Sequence, residues 1–293
     1  MSYFTYLLKD HLKYPELPLS IQRGFHDKAF HTHNHDFGEL VVVVAGTAVH
    51  TVKSKRYLIR EGDVFVINGP LAHGFSEAHE LNLYNIMYDY NRPIFDKPSL
   101  RALAGYQNLF TLGPTLRGKE NFISWANLQG EDSLLTKRLV ASMFLEYETG
   151  REGFREMLLA QLHQLIIHLS RCNELADSRD QQRLLPLARA IAYMEDNYQT
   201  TEILLGDIAF SACIGARQLE RLFSRYLGRP PIHYLKELRL KRAEEILRYQ
   251  PEKRIAEIAF RCGFSDANYF TRAFKKLFGC SPTEYRKGML SES

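Results

Sequence analysis

One pattern that occurs twice near the C-terminus constrains the fold more than any other feature of the chain. The first copy reads IAFSACIGARQLERLFSRYLGRPPIHY from residue 208, and the second reads IAFRCGFSDANYFTRAFKKLFGCSPTEYR from residue 258. The triplet Ile208-Ala209-Phe210 recurs 50 residues later, whereas five positions between Arg221 and Tyr234 recur 51 residues later. Such self-similarity indicates two copies of one supersecondary unit, with a turn that is one residue longer in the second copy.

Each copy has the outline of a helix, a tight turn and a second helix, which is the outline of a DNA-reading helix-turn-helix. The helical period predicts that one side of each second helix is buried, by Leu219, Leu222, Phe223 and Leu227 in the first copy and by Phe270, Ala273, Phe274 and Phe278 in the second. The opposite sides carry amide, hydroxyl and cationic groups of the kind that pair with base edges, namely Arg217, Gln218 and Arg221, then Asn268, Thr271, Arg272 and Lys275. One such helix alone is equally typical of an ordinary amphipathic helix, so the repetition is what favours DNA binding.

A long periodic helix is predicted between the two copies, over about Ile232–Tyr249. At 1.5 Å per residue it is on the order of 27 Å long. One turn of DNA is about 34 Å, so the two reading helices are spaced to enter successive major grooves.

The second copy carries I-A-x-x-C-G-F-x-D-x-N-Y-F-x-R-x-F-K-x-x-x-G-x-S-P-x-x-Y-R, which resembles the DNA-binding domain of the AraC/XylS family of bacterial transcription regulators. The resemblance implies an all-α domain with two helix-turn-helix units over residues 187–293. The first copy departs from the family pattern, because Gly215-Ala216 stands where family members commonly have Ser-Pro. Glycine is a tolerable N-cap, so we expect a weaker helix start there.

Charge is divided unevenly along the chain, whose net charge is +4. Residues 187–293 hold 18 Lys/Arg and 13 Asp/Glu, a balance of +5, whereas residues 1–186 hold 20 and 21, a balance of −1. A basic excess on the helix-turn-helix half is the electrostatic pattern expected for phosphate contact. The candidate phosphate neighbours are Lys241, Arg242, Lys253, Arg254, Lys275, Lys276, Arg286 and Lys287.

Nothing in the sequence indicates a membrane segment or a disulfide framework. The chain lacks a run of about 18 apolar residues, and its N-terminus is too polar for a signal peptide. Cys172, Cys213, Cys262 and Cys280 lack the paired spacing of a metal site, and we expect Cys213 and Cys262 to pack as small apolar groups in the two turns. These features predict a cytoplasmic protein.

The N-terminal half is predicted to be a small β-barrel or jelly roll, because short β-branched or aromatic runs alternate with turn residues. The predicted strands are Leu19–Phe25, Glu39–Val44, Thr47–Val52, Arg56–Ile59, Asp63–Ile67 and Asn82–Tyr88. The fold class is therefore α+β with two domains, a barrel first and an all-α domain second.

One constellation in this half resembles the cupin pattern HxH(x)3E(x)6G followed by G(x)10H, and its members are His33, His35, Glu39, Gly46, Gly62 and His73. The resemblance implies that the three histidines and Glu39 can hold a divalent metal, and imidazole and carboxylate suit Fe, Mn, Ni or Zn. The second motif departs from the cupin pattern at Asn68, Pro70 and Glu77. Three interpretations stay open: a metal site, a polar pocket that binds a small sugar, or side chains that satisfy each other.

Within the AraC/XylS family, the runs HNHDFGELVVV, RYLIREGDVF and NLYNIMY resemble the rhamnose-responsive activators. This similarity implies a sugar-sensing transcription activator that acts with RNA polymerase at promoter DNA. Arg23, Tyr57 and Asn85 are further candidates for hydrogen bonds to a ligand, from their strand positions. Trp125 is predicted to be either a buried aromatic anchor or a sugar-stacking ring.

Residues 134–172 are predicted to form two helices divided at Gly150 and Gly153, with a seam of Phe154, Leu158, Leu162, Leu165 and Leu169. The family resemblance implies that such helices make a homodimer, whereas the periodicity alone fits packing on the barrel equally well. Residues 173–186 are predicted to be a linker, which gives a ligand-sensing and dimerisation domain over 1–172 and a DNA-binding domain over 187–293.

The leading hypothesis is a transcription regulator without catalytic residues, in which a sugar bound in the barrel changes how the C-terminal half binds promoter DNA. A second hypothesis is a metal-dependent cupin enzyme fused to a DNA-binding domain. A third is a dimeric regulator whose barrel binds no small ligand.

Overall fold

The computed structural model describes residues 3–116, 126–175 and 179–291. The chain divides into two compact units, Met1–Ala188 and Arg189–Ser293. Helices extend to Leu175 and begin again at Arg179, so most of the predicted linker is helical and its residues 176–178, like Trp125, lie outside the described residues. None of the helices in the described ranges combines the length and apolar character that crossing a membrane requires.

The described part of the first unit contains an eight-stranded sheet in which every pairing is antiparallel except that of the first and third strands. A 3-10 turn, Leu8–Asp10, follows the first strand. The strands are β1 Phe4–Tyr6, β2 Leu19–His26, β3 Phe30–His35, β4 Gly38–Val52, β5 Lys55–Arg60, β6 Asp63–Asn68, β7 His73–Tyr88 and β8 Ala126–Asn127.

The sheet buries both of its faces, and alternation along the strands assigns side chains to each face. Val41 and Val43 of β4 pack inside the sheet with Phe65 and Leu83. Their neighbours Leu40 and Val42 point the other way and pack in a core that includes helical residues. Two opposed apolar faces explain why β4 reads as a continuous hydrophobic run.

The sheet differs from the sequence prediction in several of its strands. The predicted strands Glu39–Val44 and Thr47–Val52 are parts of the single strand β4, and the pairing of β4 with β7 shifts register around Gly46. Gly46 has φ +76°, and a Cβ there would lie 2.2 Å from the Glu80 carbonyl oxygen, so glycine permits a bulge where the sequence suggested a turn. The strands β1, β3 and β8 were not predicted, and β7 begins at His73, nine residues before the predicted strand Asn82–Tyr88.

Helices cover one face of this sheet and pack their apolar sides into the core. The short helices are α1 Pro98–Arg101, α2 Ala104–Tyr106 and α3 Gly113–Leu116, with a π-helical segment, Gln107–Leu112, between the last two; the long ones are α4 Gly130–Thr149 and α5 Phe154–Leu175. Leu158, Leu162, Leu165 and Leu169 of α5 are fully buried in the core that also holds Ile86 of β7. The predicted seam therefore packs within the chain, and it is not available to a partner chain.

The second unit is helical. Its helices are α7 Leu205–Ser211, α8 Ala216–Leu227, α9 Pro231–Tyr249, α10 Ile255–Arg261, α11 Ala267–Phe278 and α12 Pro282–Ser291, and α6 Arg179–Asn197 crosses the division between the units. The long helix predicted over about Ile232–Tyr249 is α9, which begins one residue earlier and ends at the predicted residue. Phe270 and Phe274 are fully buried in a core with Leu240 and Ile258, so α11 packs against α9 and α10.

Candidate DNA interface and candidate ligand-binding site

The two candidate reading helices begin differently. Asp266 is the N-cap of α11, and its carboxylate accepts hydrogen bonds from the backbone N–H groups of Asn268 (2.6 Å) and Tyr269 (3.1 Å). These bonds from Tyr269 and Asn268 lower the pKa of Asp266 because they stabilise its charged form. Gly215, the N-cap of α8, has no side chain that could do the same, so α8 lacks this reinforcement.

The turns of the two units differ by one residue, as the repeat predicts. The turn between α7 and α8 is Ala212–Gly215, and the turn between α10 and α11 is Cys262–Asp266. Gly263 has φ +77°, and Cys213, at the equivalent position, has φ +56°. Cys262 is buried as expected, but Cys213 is exposed, which contradicts the expectation that it packs as an apolar group.

The candidate base-reading residues lie opposite the buried sides of their helices. Leu219 and Phe223 of α8, like Phe270 and Phe274 of α11, are fully buried. The exposed candidates are Arg217, Gln218, Arg221, Asn268, Arg272 and Lys275. Thr271 is half-buried, and its hydroxyl donates to the Ala267 carbonyl oxygen (2.9 Å), so this side chain is engaged within its own helix.

The cationic side chains of this unit fall into two groups. Arg217, Arg221, Arg272 and Lys275 form no hydrogen bond or ion pair with other residues of the described ranges. Arg242, by contrast, is buried, and its guanidinium donates to both carboxylate oxygens of Glu195 at 2.6–3.1 Å.

The cations that do have partners bind other residues of the same unit. Lys253 pairs with Glu257, and Arg286 donates to the Lys253 carbonyl oxygen. Of these cations only Arg242 is buried, and it is paired with Glu195 because an unpaired charge is costly to bury. The interpretation of Arg242 as a phosphate neighbour is therefore wrong, and we infer structural roles for Lys253 and Arg286.

The first unit assembles His35, Glu39 and His73 at a point inside the sheet. His35 ends β3, Glu39 lies near the start of β4, and His73 begins β7, so three strands bring together residues that span 38 positions. The Oε2 atom of Glu39 lies 3.7 Å from Nε2 of His35 and 3.6 Å from Nε2 of His73. All three residues are buried.

Backbone carbonyls orient the histidine rings. The Nδ1 atoms of His33, His35 and His73 lie 3.0, 2.8 and 2.8 Å from the carbonyl oxygens of His31, Phe37 and Leu71. In each pair the ring nitrogen is the donor, because a carbonyl oxygen only accepts. The proton therefore sits on Nδ1, and a neutral ring presents the lone pair of Nε2.

Protonation of the cluster follows from its burial. Burial lowers the pKa of His33 and that of His35 to about 4, and for His33 the charge of His73 adds to the effect. Burial alone would raise the pKa of Glu39, but the nearby rings of His73 and His35 lower it. At neutral pH a carboxylate thus faces the lone pair of His35 Nε2, a buried atom that has no hydrogen-bond partner among the described residues.

These three residues fit a divalent metal. With metal–ligand bonds of about 2.1 Å, the ligand atoms of a tetrahedral site are about 3.4 Å apart. The observed separations of 3.6 and 3.7 Å need to contract by only a few tenths of an ångström. His33, the fourth predicted ligand, is outside the group of ligand atoms that lie within 4.8 Å of one another, and its ring packs on that of His73 with the centroids 4.3 Å apart.

A cavity of about 200 Å³ adjoins the cluster. Its lining includes the predicted His33, Glu39, His73, Arg23 and Asn85, and also Tyr6, His11, Gln22 and His26, which the sequence interpretation missed. The predicted Tyr57 is not part of this lining.

Arg23 is part of the cavity lining, but its guanidinium group contacts other residues of the sheet. Its Nε donates to Asn82 Oδ1 (3.1 Å), and its guanidinium lies over the ring of Tyr84. Gln22 and Asn85, which pair across β2 and β7, lie on the opposite face of the sheet from Arg23 because side chains alternate. The sequence did hold a signal for Gln22, since Ser20 and Gln22 alternate with the core residues Leu19 and Ile21.

The regions that hold the candidate DNA interface and the candidate ligand-binding site each match a known family of domains. The family profile described as an AraC-like ligand binding domain matches residues 20–96, and one described as a helix-turn-helix domain matches residues 208–288. The HTH-type transcriptional activator RhaS of Escherichia fergusonii is 31% identical over 93% of this chain and 93% of its own length. The activator RhaR of Mannheimia succiniciproducens is 27% identical over 100% of this chain and 98% of its own length.

A solved structure, a transcriptional regulator with an AraC-type DNA-binding domain from Chromobacterium violaceum, is 38% identical over 36% of this chain and 91% of that chain, with a TM-score of 0.34. The matched relatives are transcription regulators and not enzymes, which counts against the hypothesis of a metal-dependent cupin enzyme. Similarity to RhaS over almost the whole length, with both domain types matched, shows that this chain belongs to the AraC family and is a DNA-binding transcription activator with an N-terminal, cupin-like ligand-binding domain.

Proposed function

We propose that the effector is a small sugar, bound in the cavity beside His35, Glu39 and His73. The observation that carries this proposal is a set of buried acceptors that face one another and require a donor. The Glu39 carboxylate and the Nε2 lone pair of His35 have no proton between them at neutral pH, and an unpaired buried acceptor costs about 1–3 kcal/mol. The hydroxyl groups of a sugar are donors of the required kind.

The size and lining of the cavity support a single small polar molecule. At about 30 Å³ per water molecule, 200 Å³ corresponds to about seven waters, which is room for one small molecule rather than a polymer. Gln22 and Asn85 add amide groups that both donate and accept, and His11 adds a ring nitrogen. Phe30 and Phe75 supply apolar walls, which suit the C–H faces of a sugar ring.

A divalent metal at the same point is a second candidate, favoured by the fit of the three ligand atoms. His35, Glu39 and His73 would hold it, and it would supply a Lewis acid that binds sugar hydroxyls. His33, whose Nδ1 is tied to the His31 carbonyl, would then stand beside the metal as a hydrogen-bonding group.

A thermal-shift screen against monosaccharides, with and without a chelator, tests both candidates. A specific sugar at a hundredfold excess over its Kd adds about 2.7 kcal/mol to the free energy of unfolding. Glu39→Gln should abolish the shift, whereas the control Glu80→Gln, at an exposed site on β7, should retain it. A shift that survives chelation supports the polar pocket, and one that chelation removes supports the metal. The sugar proposal is wrong if the whole panel leaves the midpoint unchanged.

For operator recognition we propose base contacts by Arg217, Gln218 and Arg221 of α8 and by Asn268 and Arg272 of α11, with Lys275 on a phosphate. Exposure of these groups and the absence of internal partners for the cations, within the described ranges, support this assignment. Thr271 is assigned only an apolar contact by its methyl group, because its hydroxyl is already bonded.

We further propose a cytoplasmic homodimer that contacts RNA polymerase at the promoter. The buried seam of α5 cannot serve as the dimer interface, but α4 exposes another apolar stripe. Leu134, Ala141 and Leu145 follow one another at spacings of seven and four residues, and Leu134 and Leu145 are 50% and 59% exposed. Such a stripe suits pairing with the same helix of a second copy.

A further inference from the structure

A second group of metal-ligating side chains lies on the helix pair α4–α5, away from the cavity. Asp132 is in the first turn of α4, and His168 and Cys172 are one turn apart near the end of α5. The two helices follow one another through a short connection, which brings the start of one beside the end of the other. The ligand atoms of the three residues all lie within 4.8 Å of one another.

The distances within this group suit a tetrahedral zinc ion. Zinc bonds of about 2.3 Å to sulfur and about 2.1 Å to nitrogen or oxygen place S and N about 3.6 Å apart and N and O about 3.4 Å apart. Sγ of Cys172 lies 3.7 Å from Nε2 of His168, and that Nε2 lies 4.0 Å from Oδ1 of Asp132. The Sγ–Nε2 separation already suits zinc, but Sγ also lies 3.8 Å from Nδ1 and Nε2 lies 3.3 Å from the Asp132 carbonyl oxygen. Binding therefore requires the His168 ring to turn its Nε2 lone pair to the ion and the Asp132 side chain to move by about half an ångström.

The environment leaves one coordination position for water. The side chain of His168 is 13% exposed, whereas that of Asp132 is 61% exposed, so the group is closed on the α5 side and open to solvent on the α4 side. Asp132 is free to move because its carboxylate is at the surface. Thiolate, imidazole and carboxylate together favour zinc over Mg²⁺ or Ca²⁺, which prefer ligand sets made of oxygen alone.

We propose that Asp132, His168 and Cys172 bind a zinc ion with water as the fourth ligand. The ion ties the first turn of α4 to the last turns of α5. Burial and the neighbouring Asp132 raise the pKa of the Cys172 thiol to about 11, whereas the reactive cysteines of redox sensors have lowered pKa values.

Cobalt substitution of the full-length protein tests the site, because Co²⁺ bound to a thiolate gives a sulfur-to-metal charge-transfer absorption. The cluster at Glu39 contains no cysteine, so cobalt bound there is silent in this band. We expect the band in the unmodified protein and in the control Cys280→Ser, another half-buried cysteine, and its loss in Cys172→Ser and His168→Ala. Zinc should displace the cobalt and remove the band.

Thermal unfolding gives an independent readout. Zinc should raise the unfolding midpoint of the Cys280→Ser control by more than that of Cys172→Ser, whereas Mg²⁺ should not distinguish the two variants. Circular dichroism checks that each variant is folded before metal is added. Absence of the charge-transfer band from the unmodified protein, or a band of equal strength in Cys172→Ser, overturns the proposal. Neither result bears on the sugar cavity, whose test does not involve these residues.

Discussion

At the scale of single residues, the two repeats have the same left-handed backbone conformation in their turns but a different residue at that position. Both turns need a residue in the left-handed region after the first helix, and Gly263 and Cys213 occupy that position. A Cβ at Gly263 would lie 2.3 Å from the Tyr198 carbonyl oxygen, which accepts a hydrogen bond from Arg239 Nε at 2.9 Å. Close approach of the backbone therefore requires glycine in the second turn, whereas the exposed Cys213 meets no such demand.

We predict that Gly263→Ala destabilises the C-terminal unit by roughly 3 kcal/mol or more, because strain at positive φ adds to loss of the Tyr198–Arg239 bond. Gly279→Ala is the matched control, since Gly279 has φ +82° but nothing within 4 Å of an added Cβ. It should cost only the strain, on the order of 1 kcal/mol. Urea unfolding of the two variants measures the difference, and equal losses would show that the contact with Tyr198 has no energetic weight.

The reading face of α11 gives a second prediction at this scale. Arg272→Ala should weaken operator binding by about 1–3 kcal/mol, as expected for a side chain that pairs with a base edge. Arg272→Lys keeps the charge but loses the planar fork, so it should recover the affinity for non-specific DNA and not the preference for the operator. Fluorescence anisotropy with operator and scrambled DNA measures both. Unchanged operator affinity in the alanine variant would remove Arg272 from the interface.

The ligand cavity shows how far single residues can be predicted from sequence. His35, Glu39 and His73 were found because their spacing matches a known pattern. Tyr6 and His11 were missed because they come from the N-terminal segment, where β1 pairs in parallel with β3, and no local pattern reports such a distant pairing. Gln22 was missed because the face of β2 that is turned to the cavity depends on register, and a shift of one residue exchanges the two faces.

At the scale of elements, the helices of the second unit were predictable and several strands were not. Helix ends there coincide with strong local signals, such as the N-cap Asp266 and the left-handed Gly228 and Gly279. The strand β3 has the sequence FHTHNH and lacks apolar alternation, because His33 lines the cavity, His35 belongs to the cluster with Glu39, and the side chains of residues 31 and 32 are exposed. The role of α5 could not be read from its period, since a seam of leucines packs equally well on a sheet or on another helix.

A pair of leucine variants distinguishes packing in the N-terminal core from pairing with a second copy of the chain. Leu162→Ala should lower the free energy of unfolding by about 2–5 kcal/mol, because Leu162 is fully buried in the core of the N-terminal unit. Leu145→Ser, on the exposed stripe of α4, should change that free energy by less than about 0.5 kcal/mol but weaken the dimer. Urea unfolding and sedimentation equilibrium measure the two effects. A fully dimeric Leu145→Ser protein would exclude this stripe from the interface.

At the scale of the whole molecule, the basic excess and the ligand cavity belong to different units. The residues 187–293 carry a balance of +5, and the cavity and the His35 cluster lie in the unit that ends at Ala188. Each unit has buried apolar clusters of its own, around Val41 and Ile86 in the first unit and around Phe270 in the second. Separate cores are what allow a ligand to stabilise one unit independently of the other.

We therefore predict two unfolding transitions in calorimetry, with each binding partner acting on one of them. The proposed sugar, at a hundredfold excess over its Kd, should add about 2.7 kcal/mol to the stability of the N-terminal unit. It should leave the transition of the C-terminal unit in place. Operator DNA should do the reverse, because its contacts lie on α8 and α11.

The mirror-image enantiomer of the active sugar is the matched control, since it has the same polarity and a different arrangement of hydroxyls. It should leave both transitions unchanged, because Glu39, Gln22 and Asn85 present donors and acceptors in a fixed arrangement. A joint rise of both transitions with sugar alone would mean that the units unfold together, so that binding energy in the cavity is shared with the DNA-binding unit. Binding of the effector and binding of the operator would then be coupled, because each ligand would stabilise the same folded state of both units.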